Sequence, residues 1–295
     1  LVVLNKSAPF LDILENLGTS GFRTHQTHKL GFIMQPDLET NFNEMPQPAA
    51  AHPTDNWTRL LQSLGGYGNW RTDATVQTAL FQKISSFSSA HRNQPEHTEG
   101  VLYSLSRGYS LNQAALEWEK PYAGKAPTGT QDASWLRGIQ WRLVMSYNAF
   151  ELVCVVLMQP PQALTPDAMR AFVQKCDLPP YSTPIPSPNQ QRAGIQQWLD
   201  QSAPTGVKGS ALLDFLGLRA GDRRTFQAWA MPQKAQENPI TDWEQAIRLA
   251  KALRNMSAHG SLSATKIREL GLRQAFEILP QNLAVVINSA IGKLI

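Results

Sequence analysis

The sequence predicts a mostly α-helical protein, with a C-terminal helical bundle over residues 131–295 and a partly helical N-terminal region over residues 1–130. Three observations carry that expectation. Residues 134–158 form a nearly continuous apolar stretch in which Arg137, Gln140, Asn148 and Glu151 recur at helical spacing. Thr241 followed by Glu244 reads as a capping box at the head of an amphipathic run. Pro179, Pro180, Pro184, Pro186 and Pro188 exclude helix and sheet interiors and predict an exposed, extended excursion over residues 178–190.

Composition bounds the classes that remain. With 42% hydrophobic and 17% charged residues, the 295-residue chain can bury a core and is not compositionally disordered. Its net charge of +4, from 27 basic and 23 acidic residues, is compatible with a nucleic-acid partner without requiring one. Cys154 lies in an apolar run and Cys176 beside a proline-rich stretch, so neither a disulfide framework nor a zinc site is expected, and a cytoplasmic location fits. Residues 1–4 are too short an apolar run for a secretory signal. Residues 143–158 are interrupted by Asn148 and Glu151 and fall short of the roughly 20 residues needed to cross a bilayer, so a core helix and no membrane are expected.

Taken in order, the first forty residues carry short apolar pieces between Gly18, Gly21, Gly31 and Pro36 that read as strands or loops. Residues 45–53 are a proline-punctuated loop, and residues 55–64 and 72–87 have helical spacing. Gly124, Pro127 and Gly129 mark a boundary over residues 121–131. The helix over 134–158 is expected to be buried on most sides, with Trp141, Met145, Phe150, Leu152 and Val156 around a narrow polar stripe that needs partners.

Thr165-Pro166 places a capping hydroxyl before a first-turn proline and starts a helix to Lys175. Residues 194–201, 210–218 and 223–231 read as further short helices. From Thr241, the side chains of Trp243, Ala246, Ile247, Ala250 and Leu253 share one face, and Arg254 projects into it. A guanidinium on an apolar face must find a carboxylate such as Glu151, a backbone group, a phosphate or a subunit partner. Gly260 and the serines of residues 257–263 end that helix. Another is expected from Ser263 to about Leu279, and Pro280 suits the first turn of a last helix through Ile291.

Arginine followed by four residues and a histidine occurs three times, so spacing alone is weak evidence. Arg23 and His28 lie in a polar segment with no helix leading into it, and Pro95 breaks the segment between Arg92 and His97. Only Arg254, followed by Asn255 and then His259, is delivered by a capped amphipathic helix. In the pattern Arg-Asn-x-x-Ala-His-Gly near the end of a helical bundle, the chain resembles the HEPN superfamily of helical proteins, which share an R-x4-6-H signature. The match covers Arg254, Asn255 and His259 with helical context from about Ser134 onward; residues 1–130 take no part.

The resemblance implies a metal-independent endoribonuclease, without a cofactor, in which two copies of the motif meet across a homodimer. It also implies a setting in prokaryotic antiviral defence or a toxin system, with an antitoxin or other protein partner. The residue types suit that chemistry. A histidine titrating near neutrality can take the 2′-hydroxyl proton or protonate the leaving 5′-oxygen, and an always-charged arginine braces the phosphate, leaving a 2′,3′-cyclic phosphate.

Residues five apart on one helix point about 140° away from each other. Ser257, Ala258 and Gly260 therefore predict a break that turns His259 towards Arg254. The bland alternatives are an imidazole that meets the terminal carbonyls of its own helix, and an Arg254 paired with Glu151. A second functional class is a non-catalytic helical RNA- or protein-binding subunit of a larger complex, such as a CRISPR-type one. Lys208, Arg219, Arg223 and Arg224, near Phe226 and Trp229, form a basic run that can track an RNA backbone with aromatic stacking, or simply be solvated helix surface. Residues 65–68 lack the lysine of a phosphate loop, and His25 and His28 have no acidic or cysteine set beside them, so no metal site is expected.

Overall fold

Local chemistry accounts for where each helix of this computed structural model starts and stops. The structure describes residues 55–66, 72–118, 130–159, 164–202, 220–233 and 240–295, among which there are ten α-helices and no strand. They are α1 (Asp55–Ser63), α2 (Ala74–Ser85), α3 (Thr98–Glu117), α4 (Thr130–Met158), α5 (Pro166–Lys175), α6 (Arg192–Ser202), α7 (Ala220–Ala230), α8 (Trp243–Ala258), α9 (Ala264–Glu269) and α10 (Arg273–Gly292). The mostly helical class expected from the sequence is thus observed. The expectations for residues 1–54, including His25, His28 and the Arg23 motif, and for the helix over 210–218 lie outside the described residues.

Side-chain caps open several of these helices. Asp73 accepts from the amides of Thr75 and Val76 at the head of α2, and Thr165 accepts from Ala168 at the head of α5 with Pro166 in the first turn. The start of α8 falls one residue later than expected. Asp242, not Thr241, is its cap and accepts from the Gln245 amide at 2.7 Å, while the Gln245 side chain accepts from the Thr241 amide at 3.0 Å. A carboxylate facing the positive end of the helix is the stronger cap.

Two of the stops are glycine-dependent. Gly66 (φ +88°) and Gly271 (φ +65°) adopt the left-handed conformation. At the first stop, Gly65 and Gly66 donate to the Gln62 and Leu61 carbonyls, and at the second, Gly271 and Leu272 donate to those of Arg268 and Ile267. The second stop corrects a boundary. The helix expected from Ser263 to Leu279 is two helices, and Pro280 sits buried inside α10 instead of opening a new helix. An interior proline costs about 3 kcal/mol. The buried Phe276, Leu279, Leu283, Val286 and Ile287 around it offset that cost by holding the helix against the core.

The core is assembled around α4, which packs lengthwise against α3 and also meets α5, α8, α9 and α10. Its inward side chains Leu136, Ile139, Leu143, Tyr147, Phe150, Val153 and Leu157 are buried. Helix α1 docks on α10, where the Asn56 amides donate to the side chain and carbonyl of Asn288. Residues 55–117, assigned by sequence to an N-terminal region, therefore share one core with the C-terminal helices. Cys154 and Cys176 are buried free thiols, and burial pushes the latter up to about 12.

By length and composition residues Asp132–Met158 of α4 could cross a membrane, which differs from the short span expected. Half of the most apolar window in this stretch is buried in the bundle, and two of its polar members, Gln140 and Asn148, are bonded to the turn after α8 and to α8 itself. The opposite face of the helix is less covered than expected: Trp141 is 61% exposed and Val155 38%.

The proline-rich stretch is extended, as expected, but it is fastened down. The indoles of Trp243 and Trp229 donate to the carbonyls of Pro179 and Ile185, Ser187 donates to Ala230, and Ile185 is fully buried. Prolines leave carbonyls without competing amide donors nearby, which suits them to receive these indoles.

Candidate functional site

Helix α8 lies between α4 and α7 with Ala246, Leu249, Ala250 and Leu253 buried against them. Its last two turns carry the arginine, asparagine and histidine of the sequence motif. Arg254 emerges at the edge of the apolar face with 24% of its side chain exposed. Its Nε and one terminal nitrogen donate to Asn148 Oδ1 at 3.2 and 2.7 Å, and its other terminal nitrogen donates to Asn255 Oδ1 at 2.8 Å. Glu151 stands farther off at 3.5 Å and is 39% exposed.

That set of partners orients the guanidinium. Two amide oxygens accept most of its hydrogen bonds, and the single carboxylate pairs with it at 3.5 Å on a partly open surface. Tyr147 lies beneath, its ring centroid 5.5 Å from the guanidinium carbon. Burial, and then Glu151, pushes the Tyr147 phenol well above its ordinary value against an opposing pull from Arg254. It stays a neutral hydroxyl, directed at the Met169 sulfur.

Asn255 is buried and ties the arginine inward, since its side-chain amide donates to Asp222 Oδ2 at 2.8 Å. Asp222, in the first turn of α7, is itself buried. A chain of contacts thus runs from α4 through Asn148, Arg254 and Asn255 to α7. Sequence reading anticipated the Arg254–Glu151 pair and the polar stripe of α4, but not Asp222. Nothing in Ala220-Gly221-Asp222 beyond an acidic first turn signals that tie, which depends on how α7 packs on α8.

His259 differs from its expected placement. Helix α8 continues through Ala258, and the His259 amide still donates to the Asn255 carbonyl at 3.0 Å, so there is no break between Arg254 and His259. The chain leaves the helix only at Gly260, whose φ of +78° ends it. The two side chains therefore diverge by about 140° around one helix. The imidazole is exposed and makes no hydrogen bond to the described residues, so it does not cap its own helix. The turn behind it is pinned: Gln140 of α4 donates to the Leu262 carbonyl at 2.7 Å and reaches Ser257 Oγ at 3.5 Å.

The remaining candidates separate clearly. Arg92 and His97 are exposed in two short 3-10 turns, where His97 pairs with Gln94. Arg223 faces Asp200 at 3.9 Å, and Arg224 is exposed with its Nε on the Ala220 carbonyl. Phe226 and Trp229 are buried in the core and cannot stack on bases, which corrects the aromatic half of that expectation. Lys208 and Arg219 lie outside the described residues. No cluster able to hold a metal ion occurs among the described residues. Compared with protein-family models, curated proteins and solved structures, the chain gives no match.

Proposed function

We propose that the chain is a metal-independent endoribonuclease of HEPN type that works as a homodimer. The observation that carries this reading is the arginine held mainly by amide oxygens, with one partly exposed carboxylate at 3.5 Å, on the same helix as an exposed imidazole at its end. Arg254 braces a phosphodiester as it gains negative charge, and Asn255 keeps the guanidinium in place. His259 exchanges the proton of the 2′-hydroxyl or of the leaving 5′-oxygen, so that attack by the 2′-oxygen breaks the P–O5′ bond and leaves a 2′,3′-cyclic phosphate.

The divergence of the two side chains bears on assembly. One helix cannot aim both at a single phosphate, whereas two copies placed symmetrically bring the histidine of one to the arginine of the other. The exposed stripe of α4 suits that role, because Trp141, Met145, Leu152 and Val155 run along the face that also carries Asn148. A prokaryotic defence or toxin system, with an antitoxin or other partner, is the setting that the HEPN resemblance suggests.

The test is cleavage of single-stranded RNA by the full chain with a chelator present. The parent protein yields ends bearing 2′,3′-cyclic phosphate, and His259→Ala lowers the rate by about 100-fold or more without changing the melting temperature. Full activity in His259→Ala overturns the reading. A second reading, a non-catalytic subunit of a larger RNA-binding complex, is favoured by the four hydrogen bonds that already engage Arg254. It predicts RNA binding by the parent with no scission at all.

A further inference from the structure

On the far side of Asn255 from Arg254 lies a cleft of about 530 Å³, lined by Pro166, Met169, Gly221, Asp222, Arg224, Thr225, Arg248 and Lys251. Three cations face into it from two helices. Arg224 is exposed and, among the described residues, bonded within its own helix, Lys251 is half-buried, and Arg248 shares Glu244 with Arg170. Of the carboxylates nearby, Asp222 is turned to Asn255, Glu244 is occupied by two arginines, and Asp167 stands exposed beside Arg170. The first turns of α5 and α7 also line the cleft and add the positive ends of two helix dipoles.

The cleft shares Asp222 with the site already described. Arg248, Lys251 and Arg254 are spaced by three along α8, a rise of about 4.5 Å and a turn of about 60° per step, so the cations wind around the helix over about 9 Å. Asp222 is at once a wall of the cleft and the acceptor that holds Asn255 against Arg254. An anion seated here lies beside the site without entering it.

We propose that this cleft is a phosphate-backbone groove, in which Arg224, Arg248 and Lys251 seat the RNA strand at a phosphate neighbouring the one braced by Arg254. The groove is open and lined by cations with no aromatic ring among them, which suits contact with backbone more than with base. The proposal rests on the RNA reading above and adds to it where the strand runs.

The experiment uses the full chain carrying His259→Ala, so that RNA stays intact, and a fluorescein-labelled pool of random-sequence single-stranded RNA. Adding Arg224→Gln and Lys251→Gln weakens binding about tenfold and reduces the slope of log Kd against log salt by about 1.4, with the melting temperature unchanged. The charge-preserving pair Arg224→Lys and Lys251→Arg, in the same His259→Ala background, keeps most of the affinity and the slope. Unchanged affinity and slope in the glutamine variant, with the His259→Ala parent binding RNA, overturn the groove and leave the nuclease reading standing. If the parent binds no RNA and the wild-type chain cuts none, the RNA reading falls and the groove falls with it.

Discussion

At the scale of single residues the site depends on Asn255, which faces two ways. Its oxygen accepts from Arg254 and its nitrogen donates to Asp222, so one amide satisfies a cation and an anion together. Asn255→Ala removes both bonds and leaves a buried carboxylate without that donor. We expect a loss of about 1–3 kcal/mol in urea unfolding, together with a fall in RNA cleavage as Arg254 loses its inner anchor. Arg254 was legible in the sequence because a cation broke an apolar face, and Asn148 and Glu151 because they broke an apolar helix. Asp222 was not legible, since its role arises only when two helices distant in sequence come together.

At the scale of elements, close approach decides which side chains are tolerated. A Cβ at position 138 of α4 would overlap the Trp118 ring at the end of α3, a rigid group with no flexible tip to yield. Gly138→Ala should therefore destabilise the α3–α4 pairing by about 1–3 kcal/mol, read as a lower midpoint in denaturant with little change in slope. Most helix starts were visible in the sequence because capping is local chemistry, as at Thr165 and its neighbour Pro166. The errors fell where long-range packing or a competing cap decided the outcome, and α3 (Thr98–Glu117), which packs along α4, was not among the expected helices. Pro280 stays inside a helix because its neighbours are buried, and Asp242 displaces Thr241 as the cap. The helix ends where Gly260 placed it, but the break expected between Arg254 and His259 is absent, because small residues allow a break without requiring one.

At the scale of the whole molecule, the exposed stripe on α4 is where the proposed assembly meets the proposed chemistry. Trp141→Glu places a charge in the middle of that face, on a side chain that is already 61% exposed in the single chain, so folding should be preserved. If a second copy covers this face, light scattering will show the parent as a dimer and the variant as a monomer, and RNA cleavage will fall with the dimer. A parent that is monomeric at the concentrations where it cuts RNA removes the two-copy site.

The threading of the site through the chain also has a consequence for synthesis. Asn148 and the arginine it orients are 106 residues apart, and Gln140 is 122 residues from the Leu262 carbonyl that it anchors behind His259. No fragment that stops before the turn after α8 can therefore form these contacts, because until then α4 has nothing to grip. On the nuclease reading proposed above, a product terminated before that turn is inert.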